Sequence, residues 1–237
     1  MQISPLLHVV SILFVGIFCT LTVYCGVILQ RQNPSCHPEK VLGYLTLLFW
    51  AVYNVYHFSP RDFIWTVSLP LQLCDITGLI AGLSFIHPQR AYRSLLYFWG
   101  LGFTTQAFIF PIGEQDPSQL RYWFYWGMHG LILTCAIFDI VVNKFKPSFS
   151  DLVISIQYGL LYVLIIFPIN VLLGWNYGFI GNPDPVVPAV IALFGPWPHR
   201  VIVMVLLAIV LKTLLYLPWK FFFSSKMGYL KRTCGAD

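Results

Sequence analysis

Charge is what this chain has least of. Only 10% of its 237 residues are Asp, Glu, Lys or Arg, where a soluble domain carries about 25%. That is too little to coat a globule, so an ordinary soluble enzyme is excluded. A hydrophobic fraction of 58% likewise excludes a disordered chain. The net charge is +5, yet no basic stripe exists to follow phosphates, which argues against a nucleic-acid partner. CxxC and HExxH spacings are missing, so no dedicated metal site is expected. No Gly-rich nucleotide loop is present, and no cofactor is expected. No internal repeat is visible, which counts against an inverted-repeat transporter.

What the chain has instead is long apolar runs, with a mean hydropathy of +0.74. A membrane-crossing helix needs roughly 20 mostly apolar residues. Seven stretches qualify: His8–Gln30, Val41–Phe58, Phe63–Phe85, Ala91–Phe110, Leu120–Val142, Phe149–Leu173 and Val201–Phe223. Turn chemistry separates them, at Asn33-Pro34, Ser59-Pro60, His87-Pro88 and Lys146-Pro147, with a long Gly/Pro-rich loop from Gly174 to His199. Continuous runs of this length specify helices rather than the short alternating strands of a barrel. The expected fold is all-α: a polytopic helical bundle forming a single membrane domain over residues 1–237. The first run has no basic flank and no A-x-A-like site, so it reads as a retained helix rather than a signal peptide.

Lysine and arginine set the orientation. With seven alternating spans one side holds Arg31, Lys40, Arg90, Arg93, Lys144, Lys146, Lys220, Lys226, Lys231 and Arg232; the other holds Arg61, Arg121 and Arg200. The expectation is an N-terminus outside and a C-terminus in the cytoplasm. The six cysteines are Cys19, Cys25, Cys36, Cys74, Cys135 and Cys234. No two share an outside loop, so no structural disulfide is expected.

Ionisable and polar groups inside spans are costly and mark function. On the third span Cys74 is expected about 17 Å deep, and on the fifth His129 about 13 Å deep, at about 1.5 Å per residue. Asn54 and His57 on the second span, Gln72 and Asp75 beside Cys74, Gln106 on the fourth and Asn170 on the sixth gather in the same half. The last loop adds Asn176, Asn182, Asp184 and, in its GPWP run, Trp197. Pro70 is expected to kink the third helix. In the other half Asp139 and Lys212 are candidates to pair or to snorkel. A thiol beside an imidazole supports nucleophilic acyl transfer through a thioester, and Gln72 or Asn170 is placed to hold an oxyanion. The bland alternatives are a packing cysteine, a purely structural histidine, and an interfacial aromatic belt at Arg121–Trp126.

Four motifs carry a family resemblance: LPLQLCD (Leu69–Asp75), MHG (Met128–Gly130), NYGFIGNPDP (Asn176–Pro185) and FGPWPHR (Phe194–Arg200). In these the chain resembles the YwaF-type integral membrane proteins, a group related to animal transmembrane protein 164. The resemblance implies a multi-helix lipid enzyme, a cysteine acyltransferase that moves acyl chains between phospholipids and lysophospholipids. It places Cys74 at the nucleophile and His129 at the histidine of the fifth helix. Asp75 departs from the pattern, since the animal relative has a basic or polar residue there. The expected partners are membrane lipids. The residues alone also admit a transporter or channel with Asp75 and His129 in a polar site, and a non-catalytic lipid-binding protein.

Overall fold

The computed structural model describes residues 5–59, 63–111, 116–182 and 189–223. They form α1 (Pro5–Gln32), α2 (Pro38–His57), α3 (Leu73–Ile86), α4 (Arg90–Leu95), α5 (Thr104–Ile109), α6 (Leu120–Val141), α7 (Phe149–Leu173), α8 (Ala189–Ala192) and α9 (His199–Pro218). A π-helical turn at Leu96–Gly100 joins α4 towards α5, so that the two make one rod with a bulge. No strand occurs among the described residues. Arg61, Asp184, Lys226, Lys231, Arg232 and Cys234 lie outside them.

Four helices are long and apolar enough to cross a membrane: Pro5–Gln32, Leu120–Val141, Phe149–Leu173 and His199–Phe221. Leu13, Phe14, Ile17 and Leu21 on α1, Leu161 and Leu164 on α7, and Leu206 and Val210 on α9 are exposed. Apolar side chains turned outward along such helices belong against hydrocarbon. The chain is therefore an integral membrane protein.

Side-chain contacts fix the packing order. α6 is the most enclosed long helix. Gly26 of α1 faces Phe138, Gly127 faces Phe49 of α2, and Gly78 of α3 faces Met128. On its remaining side Ile132 and Ala136 meet Gly100 of the bulged rod. Trp99 in that rod donates to the Ser155 carbonyl of α7, and Lys212 of α9 reaches the same carbonyl. The pairings Gly43–Gly82 and Trp50–Gly78 make α2 and α3 antiparallel; Gly78–Met128 and Phe85–Phe138 make α3 and α6 parallel. One end of the bundle thus collects Arg31, Lys40, Arg90, Arg93, Lys144 and Lys146. The other collects the C-termini of α2 and α7 and the N-termini of α3, α6 and α9.

Two expectations about the spans need correction. The third span is helical only from Leu73, not from Phe63. Pro70 is the reason: its ring disfavours helical geometry at Leu69, and it has no N–H to donate. It does not kink a helix but precedes one, whose extended N-cap, Gln72, stands two residues later. The second correction concerns the basic end. Asp139 does not meet Lys212; it is held by the Nε and Nη2 of Arg93, both at 2.9 Å, and takes Asn143 Nδ2 as well. Lys212 is buried against the Ser155 carbonyl and the rings of Trp99 and Phe103. A guanidinium fork matches a carboxylate bidentately, whereas a single ammonium does not.

Candidate active site

With α3 beginning at Leu73, Cys74 stands in its first turn rather than midway down a longer helix. That changes its chemistry. The first N–H groups of a helix have no intrahelical acceptor. Asp75 and Ile76 donate to the Gln72 carbonyl, while the Leu73 and Cys74 N–H groups have no acceptor among the described residues. A thiol here sits at the positive end of the helix dipole. Asp75, at the third helical position, opposes it with a carboxyl buried beside the same turn.

The turn is fixed from three directions. From α2, Trp50 Nε1 donates to the Asp75 carbonyl at 2.8 Å, and the Tyr53 side chain lies close to the Asp75 carboxyl. From α7, Tyr162 lies close to Cys74 and Asp75, its hydroxyl donating to the Leu71 carbonyl at 2.9 Å. From the loop after α7, the Gly178 N–H donates to Gln72 Oε1 at 2.9 Å. That loop is itself clamped, because Asn170 exchanges both of its amide hydrogen bonds with the Tyr177 backbone, at 2.8 and 3.0 Å. Tyr177 then threads its hydroxyl into the 63–72 segment, accepting from Leu69 N–H and donating to the Trp65 carbonyl.

His129 is buried on α6. Its Nδ1 lies 2.7 Å from the Tyr125 carbonyl. A carbonyl only accepts, so Nδ1 carries the proton and Nε2 keeps its lone pair. No described contact engages Nε2, and the ring packs on Tyr125 and Phe108. No described contact joins His129 to Cys74. The register set by Gly78 opposite Met128 puts His129 five residues further from the thiol end than Cys74, about 7 Å along the parallel axes.

The other expected site residues divide. Asp75 and Gln72 adjoin Cys74. His57 is buried one turn beyond Tyr53, its ring against Tyr53, Tyr56 and Phe124 and its Nδ1 on the Tyr53 carbonyl. Asn170 and Asn176 build the loop: Asn176 Oδ1 takes the Gly181 N–H. Trp197 stacks on Phe167 and donates to the Ile180 carbonyl. Gln106 is exposed on α5 and bonds back to its own helix at Gly102, apart from the cysteine turn. Asp184 lies outside the described residues. Sequence reasoning missed Tyr53, Tyr162 and Trp50. Tyr53 stands one turn before His57 and was visible as a polar-tipped ring on that face; Tyr162 had no signal, because its phase on α7 depends on how the loop packs. The described cysteines are all free thiols.

A half-buried thiol at a helix start, close to a tyrosine and a buried carboxyl within an apolar bundle, defines a helical membrane protein with polar groups gathered near one end. The chain belongs to the TMEM164 family, whose profile matches residues 2–216. No curated protein and no solved structure matches it.

Proposed function

We propose that this protein is a multi-pass membrane acyltransferase that carries the acyl chain on Cys74. The reading takes seven crossings, with the thiol end outside or lumenal and the basic end in the cytoplasm, as the lysine and arginine bias favours. The observation that carries it is the position of Cys74 in the first turn of α3, next to two N–H groups with no acceptor among the described residues. In the proposed reaction the thiolate attacks an ester carbonyl of a phospholipid. The Leu73 and Cys74 N–H groups face the developing oxyanion. The C–O bond breaks, and the leaving alkoxide of the lysolipid takes the proton that His129 Nε2 received from the thiol. A lysolipid hydroxyl then gives its proton to His129 and attacks the thioester, restoring the thiol. The height separating Cys74 from His129 is bridged by the acceptor hydroxyl or a water, since catalytic hydrogen bonds tighten once substrate is bound.

The test is intact-mass analysis after exposure to an activated acyl ester. Wild type is expected to gain one acyl adduct and Cys74→Ala none. His129→Ala is expected to form it at least 100-fold more slowly, the usual range of general-base contributions being about 10²–10⁴. An adduct that forms normally without Cys74 overturns the reading. Substrate transport that survives Cys74→Ser, with no adduct at all, favours a transporter.

A further inference from the structure

Among the described residues, Arg90 and Arg93 each hold a carboxylate, whereas Arg200 is buried without one. Arg90 grips Asp151 through two bonds of 2.8 and 2.6 Å, and Arg93 grips Asp139 through two of 2.9 Å. Their side chains remain 59% and 24% exposed. Arg200 is only 4% exposed and has no carboxylate partner among the described residues. Its Nη2 donates to the Gly181 carbonyl, and its Nε is buried with no partner. A buried guanidinium left unpaired is expensive, so an anion that completes it is bound with corresponding gain.

The surroundings point the same way. Arg200 is the second residue of α9, a helix of 20 residues, and the His199 N–H at its start has no acceptor among the described residues. Helix N-termini with free N–H groups hold phosphate and other oxyanions. Arg200 and Trp197 both reach the Ile180–Gly181 backbone. That loop donates Gly178 N–H to Gln72, two residues before Cys74. The orphaned guanidinium and the thiol are therefore anchored to one loop at one end of the bundle.

We infer that Arg200, with the start of α9, binds the phosphate of the lipid substrate and so selects glycerophospholipids over neutral acylglycerols. The inference rests on the acyl-transfer reading for its place in a reaction, but not for its test. Binding is measured on Cys74→Ser protein in nanodiscs, which cannot form the thioester. The probes are a lysophosphatidylcholine, the monoacylglycerol with the same acyl chain, and inorganic phosphate as competitor. The lysophospholipid is expected to bind at least tenfold more tightly than the monoacylglycerol. Adding Arg200→Gln is expected to abolish that preference while leaving monoacylglycerol binding unchanged, and Arg200→Lys to keep part of it. Millimolar inorganic phosphate is expected not to displace the lysolipid. Equal affinity for the two lipids, or an equal loss for both in Arg200→Gln, overturns the assignment, as does displacement by inorganic phosphate, which would make this a site for the free ion. Where Arg200→Gln does not fold, the comparison of the two lipids on the parent protein still decides. A phosphate preference in protein that never acylates Cys74 leaves this site standing and removes the acyl-transfer reading alone.

Discussion

Asp139 shows how a single charge is carried inside this bundle. Burying a carboxylate is tolerable only when its oxygens are matched, and here Arg93 and Asn143 occupy them. Asp139→Asn leaves Arg93 facing a neutral amide. The expected loss is about 2 kcal/mol, below the roughly 3–5 kcal/mol of a fully buried pair because Arg93 keeps partial exposure. It is read as a lower thermal unfolding midpoint in one detergent. Replacing both partners, Arg93→Met with Asp139→Leu, is expected to recover most of the loss; a double variant as unstable as the single one would show that the pair is not the cause. At this scale the sequence was legible in kind but not in partner. It marked Asp139, Lys212, Cys74 and Asp75 as costly residues needing an explanation, yet for Asp139 it offered pairing with Lys212 or snorkelling and not Arg93. Arg93 lies 46 positions away in sequence, and no local pattern predicts such an approach.

The element that matters most is α3, an apolar helix of 14 residues, shorter than the four that are long enough to cross a membrane. It packs on α2 through two glycines. A Cβ at Gly43 would meet the Gly82 carbonyl at 3.0 Å, and one at Gly82 would meet the Gly43 carbonyl at the same distance. A backbone carbonyl stands in the way at both positions, with the Leu47 side chain closer still at Gly82, so a rotamer change alone relieves neither. Gly43→Ala is expected to push α2 from α3 and destabilise by about 1–3 kcal/mol, as overpacking does. Gly16→Ala, with nothing near its Cβ, is expected to be neutral. Comparable unfolding midpoints for the two variants would refute close backbone packing. A displaced α3 also shifts the turn bearing Cys74, so Gly43→Ala is expected to slow acyl labelling further than its stability loss explains. The helix start was misplaced by ten residues because hydropathy cannot tell an apolar helix from an apolar segment leading into one. Pro70 was the informative residue: proline more naturally precedes a helix than bends it.

Over the whole molecule the distribution of cations predicts which way the bundle faces. Cys36, in the turn between α1 and α2, is half-buried and free, and it lies at the basic end. A membrane-impermeant thiol reagent applied to sealed, right-side-out vesicles is expected to leave Cys36 unlabelled until they are opened; labelling of intact vesicles would invert the proposed orientation. The sequence by itself determined the class of object, because apolar runs too long for a globule can be hidden only in lipid, and helices are the simplest way to satisfy a backbone there. It also determined most helix positions, through runs and turn residues that act locally. What only the tertiary structure decided is the company each polar residue keeps. The Tyr162 and Tyr177 hydroxyls reach back some 91 to 112 positions to hold the segment before Cys74. Among the described residues Arg200 is left without an acid while Arg90 and Arg93 each find one. Such contacts are fixed by how helices from distant parts of the chain are packed, and that arrangement is collective: every helix that touches α6 shares in setting it.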